Sequence, residues 1–369
     1  ITRIILGEVA ATGHFSLRNF YVRRARRILP ALLLVVLACL VAAALIMTPS
    51  ELDRFAISVV AALGFVSNFF WYFALSEYGA QPGLLQPLLH TWSLAIEEQF
   101  FLLFPLAMML LAKRRPVFVA AILGSMLLLS LGLAQATTQW DQSLSFYSPV
   151  SRVWELLAGA LLALAAHHQP QKIAPGSWLG WMLPKLSIVV LLFCMATIDF
   201  SAVAHPGFAT LPVVLAALTL IWFARAGETV TQALSLPTMV YLGRLSYSIY
   251  LWHFPIFAFG RLIQIDRPDV LDMTVWIALT LACSIASYHL VERRFRYDLS
   301  GRAVARGMAA GLAVTIAFVV TVRTTDLLSQ YQVGDLASLY DENNFDNDEL
   351  RDISWGPLDV LAKDEEIGS

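Results

Sequence analysis

Apolar residues occur along this chain in long runs that are separated by short polar breaks. Each run approaches the roughly 20 residues that an α-helix needs to cross the hydrocarbon core of a bilayer. Ten such runs lie near residues 28–48, 55–75, 93–112, 117–136, 150–166, 186–199, 208–225, 243–264, 273–291 and 303–322. The pattern predicts an all-α fold, a polytopic bundle of transmembrane helices.

Composition supports this fold class. Hydrophobic residues make up 58% of the chain, charged residues only 14%, and the mean hydropathy is +0.67. Because charged residues approach about a quarter of a soluble globular domain, the composition excludes that class. The expected surroundings are the lipid bilayer, and no feature indicates a nucleic-acid partner.

The net charge of −2 conceals an uneven distribution of charge. Residues 324–369 contain twelve acidic and two basic side chains, so the preceding residues carry an excess of positive charge. We therefore divide the chain into a membrane domain, residues 1–323, and a short acidic C-terminal tail, residues 324–369. We expect the tail to be flexible and to lie outside the cytoplasm.

Basic loops predict the orientation of the helices, because cytoplasmic loops carry an excess of Lys and Arg. Placing residues 113–115 and 293–296 inside makes every crossing from 117 to 322 alternate. The arginines at 23–27 should also be inside, yet three apolar runs, an odd number, separate them from Lys113. One of these runs should therefore fail to cross. Residues 55–92 are the candidate for a re-entrant or surface element.

Residues 87–101 place ionisable side chains at the start of an apolar run. Such groups cost roughly 2.5–3.5 kcal/mol at membrane depth and therefore mark functional sites. On a helix His90, Ser93 and Glu97 share one face, whereas Glu98 points about 100° away. His90, Glu97 and Glu98 are candidate catalytic groups. Alternatively, these residues lie in the headgroup region and only cap the helix.

Four arginines, Arg23, Arg24, Arg26 and Arg27, stand just before the first apolar run. Juxtamembrane arginines set orientation and bind anionic lipid. Four guanidinium groups in five residues are more than orientation requires, and the planar guanidinium fits phosphate oxygens. The second interpretation is therefore a binding site for a phosphate-rich donor at the cytoplasmic surface.

Two further groups of polar residues lie within apolar runs. Arg152 and Glu155 are spaced to pair along a helix, either as a structural ion pair or as part of an outward-facing acceptor site. Ser246, Tyr250 and His253 form a polar stripe on one helix face. All five are candidate substrate contacts.

The three cysteines, Cys39, Cys194 and Cys283, lie in apolar runs without the spacing of a metal or redox site. We therefore expect three buried thiols, no disulfide framework and no metal.

Four long motifs occur together in one order. They are Arg23-Arg-Ala-Arg-Arg-Ile-Leu-Pro-Ala31, Pro87-Leu-Leu-His-Thr-Trp-Ser-Leu-Ala-Ile-Glu-Glu-Gln-Phe100, Ser151-Arg-Val-Trp-Glu-Leu-Leu-Ala-Gly-Ala160 and Leu242-Gly-Arg-Leu-Ser-Tyr-Ser-Ile-Tyr-Leu-Trp-His253. Their order and spacing resemble those of the acyltransferase family 3 membrane proteins, of the bacterial O-antigen acetylase type. The resemblance covers roughly residues 1–300, and four motifs in register are far more specific than one.

The resemblance implies transfer of an acyl group, usually acetyl from acetyl-CoA, to a hydroxyl of a cell-envelope polysaccharide or lipopolysaccharide sugar. The enzyme would lie in the bacterial inner membrane, with the donor in the cytoplasm and the glycan or lipid-linked sugar acceptor outside. In that scheme the arginines at 23–27 hold donor phosphates. Glu97 or Glu98, with His90, contributes to a central polar site, and Arg152 and Glu155 contribute to the acceptor side.

The chain departs from the family's pattern at both ends. It begins at Ile1, in what resembles the end of the family's second membrane segment, so the first segment with its arginine and histidine is not in this sequence. We therefore expect residues 1–369 alone to be inactive. The residues after the last run are too few for the SGNH hydrolase-like domain of many relatives, and Val333-Gly-Asp-Leu336 lacks the serine of its nucleophile motif.

A transporter or flippase of a polar or lipid-linked solute is the alternative function, because intramembrane ionisable residues also mark transport paths. No inverted internal repeat is visible in the sequence, which disfavours it. Residues 23–27 separate the two hypotheses. An enzyme that uses CoA needs them to bind the donor, whereas a transporter needs them only for orientation. The acceptor sugar, the acyl chain and the oligomeric state stay open.

Overall fold

The computed structural model describes residues 1–77, 81–111, 113–168, 178–197, 205–225, 227–264 and 267–324. Throughout these ranges the regular structure is helical and no strand occurs, so the predicted all-α class is confirmed. The acidic tail from residue 325 onward lies outside the described residues, and its division from the membrane domain stays a prediction.

The helices of the first half surround the two long helices that carry the arginine and glutamate motifs. They are α1 (Thr2–Thr12), α2 (Leu17–Ile46), α3 (Pro49–Leu63), α4 (Ser67–Ala74), α5 (Thr91–Leu111), α6 (Pro116–Trp140) and α7 (Gln142–Tyr147). A single 3-10 turn, Gly83–Leu85, lies between α4 and α5.

The helices of the second half include the third motif-bearing helix, α12. They are α8 (Pro149–His168), α9 (Trp178–Thr197), α10 (Leu211–Phe223), α11 (Thr229–Leu234), α12 (Pro237–Ile263), α13 (Val270–Ser287) and α14 (Gly301–Thr324). A 3-10 turn, Phe208–Thr210, precedes α10, and two π-helical turns, Tyr288–Glu292 and Arg294–Asp298, extend α13.

Seven helices of the described ranges are long and apolar enough to cross a membrane, namely α2, α5, α6, α8, α9, α13 with its π-helical turns, and α14. Their outward faces are apolar, with Leu110 79% and Met195 81% exposed. Such a surface would promote aggregation in water but suits contact with lipid tails. The molecule is a multi-pass membrane protein, as the hydrophobic pattern predicts.

The second predicted apolar run does not form one helix. It divides into α3 and α4 at a tight turn in which Phe65 has a φ of 53°. The side chain of Gln81, which follows α4, donates a 2.6 Å hydrogen bond to Glu51 in the first turn of α3. The two ends of this segment therefore lie at the same side of the bundle. We call α3 and α4 the re-entrant hairpin, and it agrees with the topology argument.

Polar side chains of other helices fix the turn of the re-entrant hairpin. Gln99 of α5 donates to the carbonyl of Phe65 at 2.8 Å and to the amide oxygen of Asn68 at 2.9 Å. Asn68, which is fully buried, donates to the carbonyl of Tyr147 at 3.0 Å. Non-helical backbone persists at membrane depth only where protein groups satisfy it. The hydrogen bonds donated by Gln99 and Asn68 satisfy the backbone carbonyls of Phe65 and Tyr147.

The main core forms around α2, the most buried of the candidate spans. Its small and branched side chains, among them Ala31, Val36 and Ala43, pack against α12, α14 and the re-entrant hairpin. Close packing of small residues, rather than the hydrophobic effect, is what drives helices together within lipid. Gly311 of α14 illustrates it, because an added Cβ there would lie 2.4 Å from Leu33.

Cys39 and Cys194 are buried, as predicted, whereas Cys283 is partly exposed. The prediction of a third buried thiol is therefore wrong. The packed face of α13 is formed by Trp276, Thr280, Ser284 and Ser287, and Cys283 lies at the flank of that face.

Gly260 of α12 allows close approach of Trp276 of α13. A Cβ at residue 260 would lie 2.4 Å from ring atom Cε2 of Trp276, which is only 7% exposed. We expect Gly260→Ala to lower the free energy of unfolding by ~1–3 kcal/mol, as overpacking does, measured by thermal unfolding in detergent. Gly124→Ala is the matched control, because nothing lies within 4 Å of a Cβ there. Equal stability of the two variants would contradict a tight contact between α12 and α13.

Candidate active site

Two adjoining cavities open at the end of the bundle where α2 and α12 begin. The larger, of about 690 Å³, is here called the basic cavity, and the smaller, of about 360 Å³, the central cavity. Arg27, Ser246 and Tyr247 line both cavities. One elongated ligand can therefore extend from the basic cavity into the central one.

Four arginines from three parts of the chain line the basic cavity. Arg27 comes from α2, Arg244 from α12, and Arg293 and Arg296 from the end of α13. All four are exposed, and none forms an ion pair with a carboxylate of the described residues. Guanidinium groups that converge in this way form a surface for a phosphate-bearing ligand.

The basic cavity also has an aromatic lining. Its four tyrosines are Tyr241, Tyr247, Tyr288 and Tyr297. Two of them lie in the π-helical turns after α13, a distortion that is frequent at functional sites. The cavity thus joins positive charge to aromatic rings, which is the combination that a nucleotide needs.

The four arginines of residues 23–27 do not all make the same kind of contact. Arg24 binds Glu98 of α5 through two hydrogen bonds, one of them 2.7 Å from Nε to Oε2. Arg26 donates to the backbone carbonyls of Phe295 and Leu299, with a 2.9 Å bond from Nε to Phe295. These two arginines join α2 to α5 and to the π-helical turns.

The other two arginines have exposed side chains. Arg23 lies 3.8 Å from Glu8 of α1 and has 61% side-chain exposure. Arg27 lines both the basic and the central cavity. All four arginines also line a groove of about 430 Å³ beside α1, which continues to Arg296. Arg27 is therefore the member of the predicted cluster that is best placed to bind a ligand in both cavities.

The neighbouring carboxylates Glu97 and Glu98 point in different directions, as the helical period requires. Glu98 faces Arg24, whose guanidinium also lies 3.5 Å from the centre of the Phe101 ring. Glu97 lines the central cavity and forms no ion pair within the described part of the chain. The candidate catalytic pair therefore consists of one structural carboxylate and one that faces a cavity.

Tyr250 connects α12 to the start of α5. Its hydroxyl donates to the backbone carbonyl of His90 at 2.5 Å and lies 2.9 Å from the hydroxyl of Ser93. Because Tyr250 has one proton and gives it to His90, Ser93 is the donor in the second bond. Tyr250 also lines the central cavity beside Glu97. His90, Ser93 and Glu97, which are predicted to share one helix face, therefore all lie near Tyr250.

His90 precedes the first residue of α5 and is 5% exposed. Its ring stacks on Phe254, with 5.4 Å between centroids, and lies 5.6 Å from the ring of His253. Neither ring nitrogen has a hydrogen-bond partner among the described residues, although the backbone groups of Pro87 and Leu251 are close. Pro255 lacks an N–H group. The carbonyl of Leu251, four residues earlier, is therefore without the donor that it would have in a regular helix. The predicted stripe of Ser246, Tyr250 and His253 therefore leads from the cavities to His90.

A second polar cluster lies beyond His90, on the side away from the basic cavity. Arg152 and Glu155 form the predicted ion pair, with 3.2 Å between Nη1 and Oε1. The guanidinium of Arg152 also lies 3.3 Å from Nε2 of His205. It approaches the rings of Trp92 at 5.2 Å and Phe146 at 4.8 Å.

Sequence reasoning missed several of these residues. Arg293 and Arg296 are interpreted from sequence only as a cytoplasmic anchor, and Arg244 and His205 are not singled out. The clustering argument applied to residues 23–27 also applies to residues 293–296, and it would have identified them. His205 offers no comparable signal, because its partner Arg152 is 53 positions away in the chain.

Comparison with known proteins identifies the group to which this bundle belongs. A family model described as an acyltransferase domain matches residues 5–289. The chain belongs to this acyltransferase family. The resemblance carried by the four sequence motifs is thereby confirmed.

Two relatives of this chain are bacterial proteins. The O-acetyltransferase OatA of Staphylococcus aureus strain NCTC 8325 is 29% identical over 308 residues, 80% of this chain and 50% of that protein. The peptidoglycan O-acetyltransferase OatA of Listeria monocytogenes serovar 1/2a is 26% identical over 320 residues, 80% of this chain and 49% of that protein. The chain spans about half the length of the curated relatives it matches. No solved structure matches it.

Family membership and the seven apolar helices together support a location in the bacterial cytoplasmic membrane. The basic cavity of the acyltransferase lies at the end that the Lys and Arg distribution predicts to be cytoplasmic. The Arg152 cluster lies toward the other end.

The loop residue His205 generates a pH-dependent prediction. Burial, with the neighbouring Arg152 guanidinium, lowers the pKa of His205 from 6.5 to about 4, so the folded protein holds the ring neutral. Between these pH values the unfolded chain binds a proton that the folded chain does not, so stability falls as the pH is lowered from 6.5 toward 4. We expect His205→Gln to reduce the difference in melting temperature between pH 7 and pH 5. Glu155, the other charge on Arg152, is retained in this variant.

Thermal unfolding in detergent at both pH values measures this effect. His14→Gln, at an exposed histidine of the loop after α1, controls for the loss of an imidazole. A pH response of His205→Gln identical to that of the unchanged protein would show that His205 is not held neutral by Arg152.

Proposed function

We propose that this acyltransferase moves an acyl group, acetyl in the first instance, from acyl-CoA to a hydroxyl group of a cell-envelope glycan. The observation that carries the proposal is the basic cavity. It joins four arginines, none in a direct ion pair among the described residues, to four tyrosines, to the carboxylates Glu292 and Asp298, and to a central cavity lined by Glu97.

Acyl-CoA matches the charge and the shape of the two cavities. Its nucleotide part bears phosphates, which Arg27, Arg244 and Arg293 can bind through charge-assisted hydrogen bonds. Its adenine ring can stack on a tyrosine of the same cavity, with arginine adding cation–π attraction. A cluster of arginines that bound only lipid headgroups would not need these aromatic rings.

The arm of the donor then follows the residues that both cavities share. Ser246 and Tyr247 line the passage from the basic cavity, and Glu97 and Tyr250 line its end. A thioester there lies beside the carboxylate of Glu97. Arg27, which borders both cavities, can hold the phosphate nearest to the arm.

The chemistry requires a proton acceptor and a defined position for the hydroxyl. The hydroxyl oxygen of the sugar attacks the thioester carbonyl carbon, the carbon–sulfur bond breaks, and CoA leaves as its thiol. Glu97 can take the proton that the hydroxyl loses and return it to the departing sulfur, which gives the CoA thiol. The bonds of Tyr250 to Ser93 and to His90 hold the wall of the central cavity in place.

The acceptor is a glycan outside the cytoplasm. The relatives are named as O-acetyltransferases, and the name of the Listeria protein specifies peptidoglycan. A peptidoglycan acceptor is therefore better supported than the O-antigen sugar of a lipopolysaccharide. Arg152 and Glu155, beyond His90, belong to the acceptor side in this proposal.

Donor binding tests the proposal. We expect Arg27→Ala combined with Arg244→Ala to weaken acetyl-CoA binding by about 2–5 kcal/mol, because two charge-assisted contacts to phosphate are lost. Titration calorimetry in detergent measures the affinity. Arg115→Ala, which removes an exposed arginine outside both cavities, should leave it unchanged. Unchanged affinity in the double variant would reject the donor site and leave these arginines a role in binding anionic lipid.

The two carboxylates of α5 should respond differently to loss of charge. Glu98→Gln leaves Arg24, whose side chain is 17% exposed, without its partner, and should cost ~3 kcal/mol of stability. Glu97→Gln, made in the full-length protein, should keep the stability but lower the O-acetylation of envelope glycan in cells at least ~100-fold, as loss of a proton-transfer group does. Full activity of Glu97→Gln would remove the carboxylate from the mechanism.

A further inference from the structure

A small pocket at the far side of the bundle has no role in donor binding. It has a volume of about 290 Å³ and is lined by Gln142, Ser143, Phe146, Tyr147 and His205. Four of these residues belong to the short helix α7, and His205 comes from the loop before α10. The pocket lies next to the Arg152 cluster rather than near the basic cavity.

Hydrogen bonds hold α7 in a fixed position. Asp141 accepts a 2.8 Å bond from the backbone N–H of Leu144 and a 2.9 Å bond from the hydroxyl of Tyr72. Asn68 of the re-entrant hairpin donates to the carbonyl of Tyr147. The pocket is therefore formed before any ligand arrives, which lowers the entropic cost of binding.

The lining of the pocket carries no net charge. Arginine has only donors, so the 3.3 Å contact between Arg152 and His205 requires Nε2 of His205 to be the acceptor. The imidazole is therefore neutral and its Nε2 lone pair is occupied. Glu155 balances the charge of Arg152. A neutral ligand with many hydrogen-bonding groups suits this lining better than a phosphate or a carboxylate does.

Aromatic rings form one wall of the pocket. The Phe146 ring lies 5.2 Å from that of His205 and 4.9 Å from that of Tyr147, and Trp92 supports it from behind at 4.2 Å. Rings of this kind bind the apolar face of a sugar, while the exposed side chain of Ser143 offers a polar group to its hydroxyls. Trp92 also stands two residues after His90, so the pocket adjoins the start of α5.

We propose that this pocket binds a neutral sugar ring of the acceptor glycan, with Phe146 as the stacking surface and His205 as a positioning residue. This assignment rests on the proposed function, in which the acceptor is a glycan. It places the acceptor at the end of the bundle opposite to the donor site. It also excludes His205 as the base, because the lone pair of Nε2 is directed at a guanidinium.

The test measures sugar binding separately from donor binding on the same protein. The full chain in detergent is titrated with N-acetylchitotetraose, a soluble neutral glycan, and binding is followed by saturation-transfer NMR. We expect Phe146→Leu to weaken this binding about 3- to 10-fold, the scale of a lost aromatic contact. Trp140→Leu removes an 83% exposed tryptophan outside the pocket and should have no effect.

A second variant guards against misfolding of Phe146→Leu. Ser143 is exposed, so Ser143→Trp fills the pocket without disturbing the core, and it should also weaken sugar binding at least ~10-fold. Acetyl-CoA affinity should stay unchanged in all three variants. Failure of the unchanged protein to bind the sugar, or full binding by both pocket variants, would overturn the proposal.

Two further outcomes separate the sugar pocket from the donor proposal. If the unchanged protein binds the sugar but does not bind acetyl-CoA, the donor proposal is rejected and the sugar pocket stands. Fully deacetylated chitotetraose, which is cationic, should bind more weakly, because the lining offers no carboxylate to its amines. Equal binding of the two glycans would overturn the assignment to a neutral sugar.

Discussion

A charge within a membrane protein must be paired or must face a water-filled space, and this constraint organises the bundle. The bond between Arg24 and Glu98 joins α2 to α5 and neutralises one residue from each motif. Their neighbours Arg27 and Glu97 have no such partner among the described residues and line the cavities instead. The ion pair between Arg24 and Glu98 therefore determines that Arg27 and Glu97 face the cavities.

α12 relays this arrangement across the bundle. Ser246 borders the basic cavity. Tyr250 lines the central cavity beside Glu97 and forms a hydrogen bond to the start of α5. His253 packs against His90. Their spacing follows the helical period, so a single helix carries polar groups from one end of the site toward the other. Pro255 ends this stripe, and its missing N–H leaves the buried carbonyl of Leu251 without its usual helical donor beside His90.

Features that depend on neighbouring residues could be predicted from the sequence. Helical runs and the pairing of Arg152 with Glu155 follow from local spacing and charge, and a count of crossings singles out the early run that the structure divides into two short helices. Convergence of Arg27 with Arg244 and Arg293 could not be predicted, because it depends on how three separate helices rotate about their axes. Packing decides that rotation, and its contacts join residues more than two hundred positions apart, as Tyr247 and Ile28 show.

The re-entrant hairpin has a consequence for how the protein is made. Asn68 is fully buried, and the groups that satisfy its amide, Gln99 and Tyr147, follow it by 31 and 79 residues in the chain. During synthesis the hairpin emerges before either partner exists, and an unsatisfied amide in hydrocarbon is costly. The segment must therefore wait in the polar surroundings of the insertion machinery or at the membrane surface until α5 and α7 have been made. Insertion of this protein is thus not a simple succession of helices in chain order.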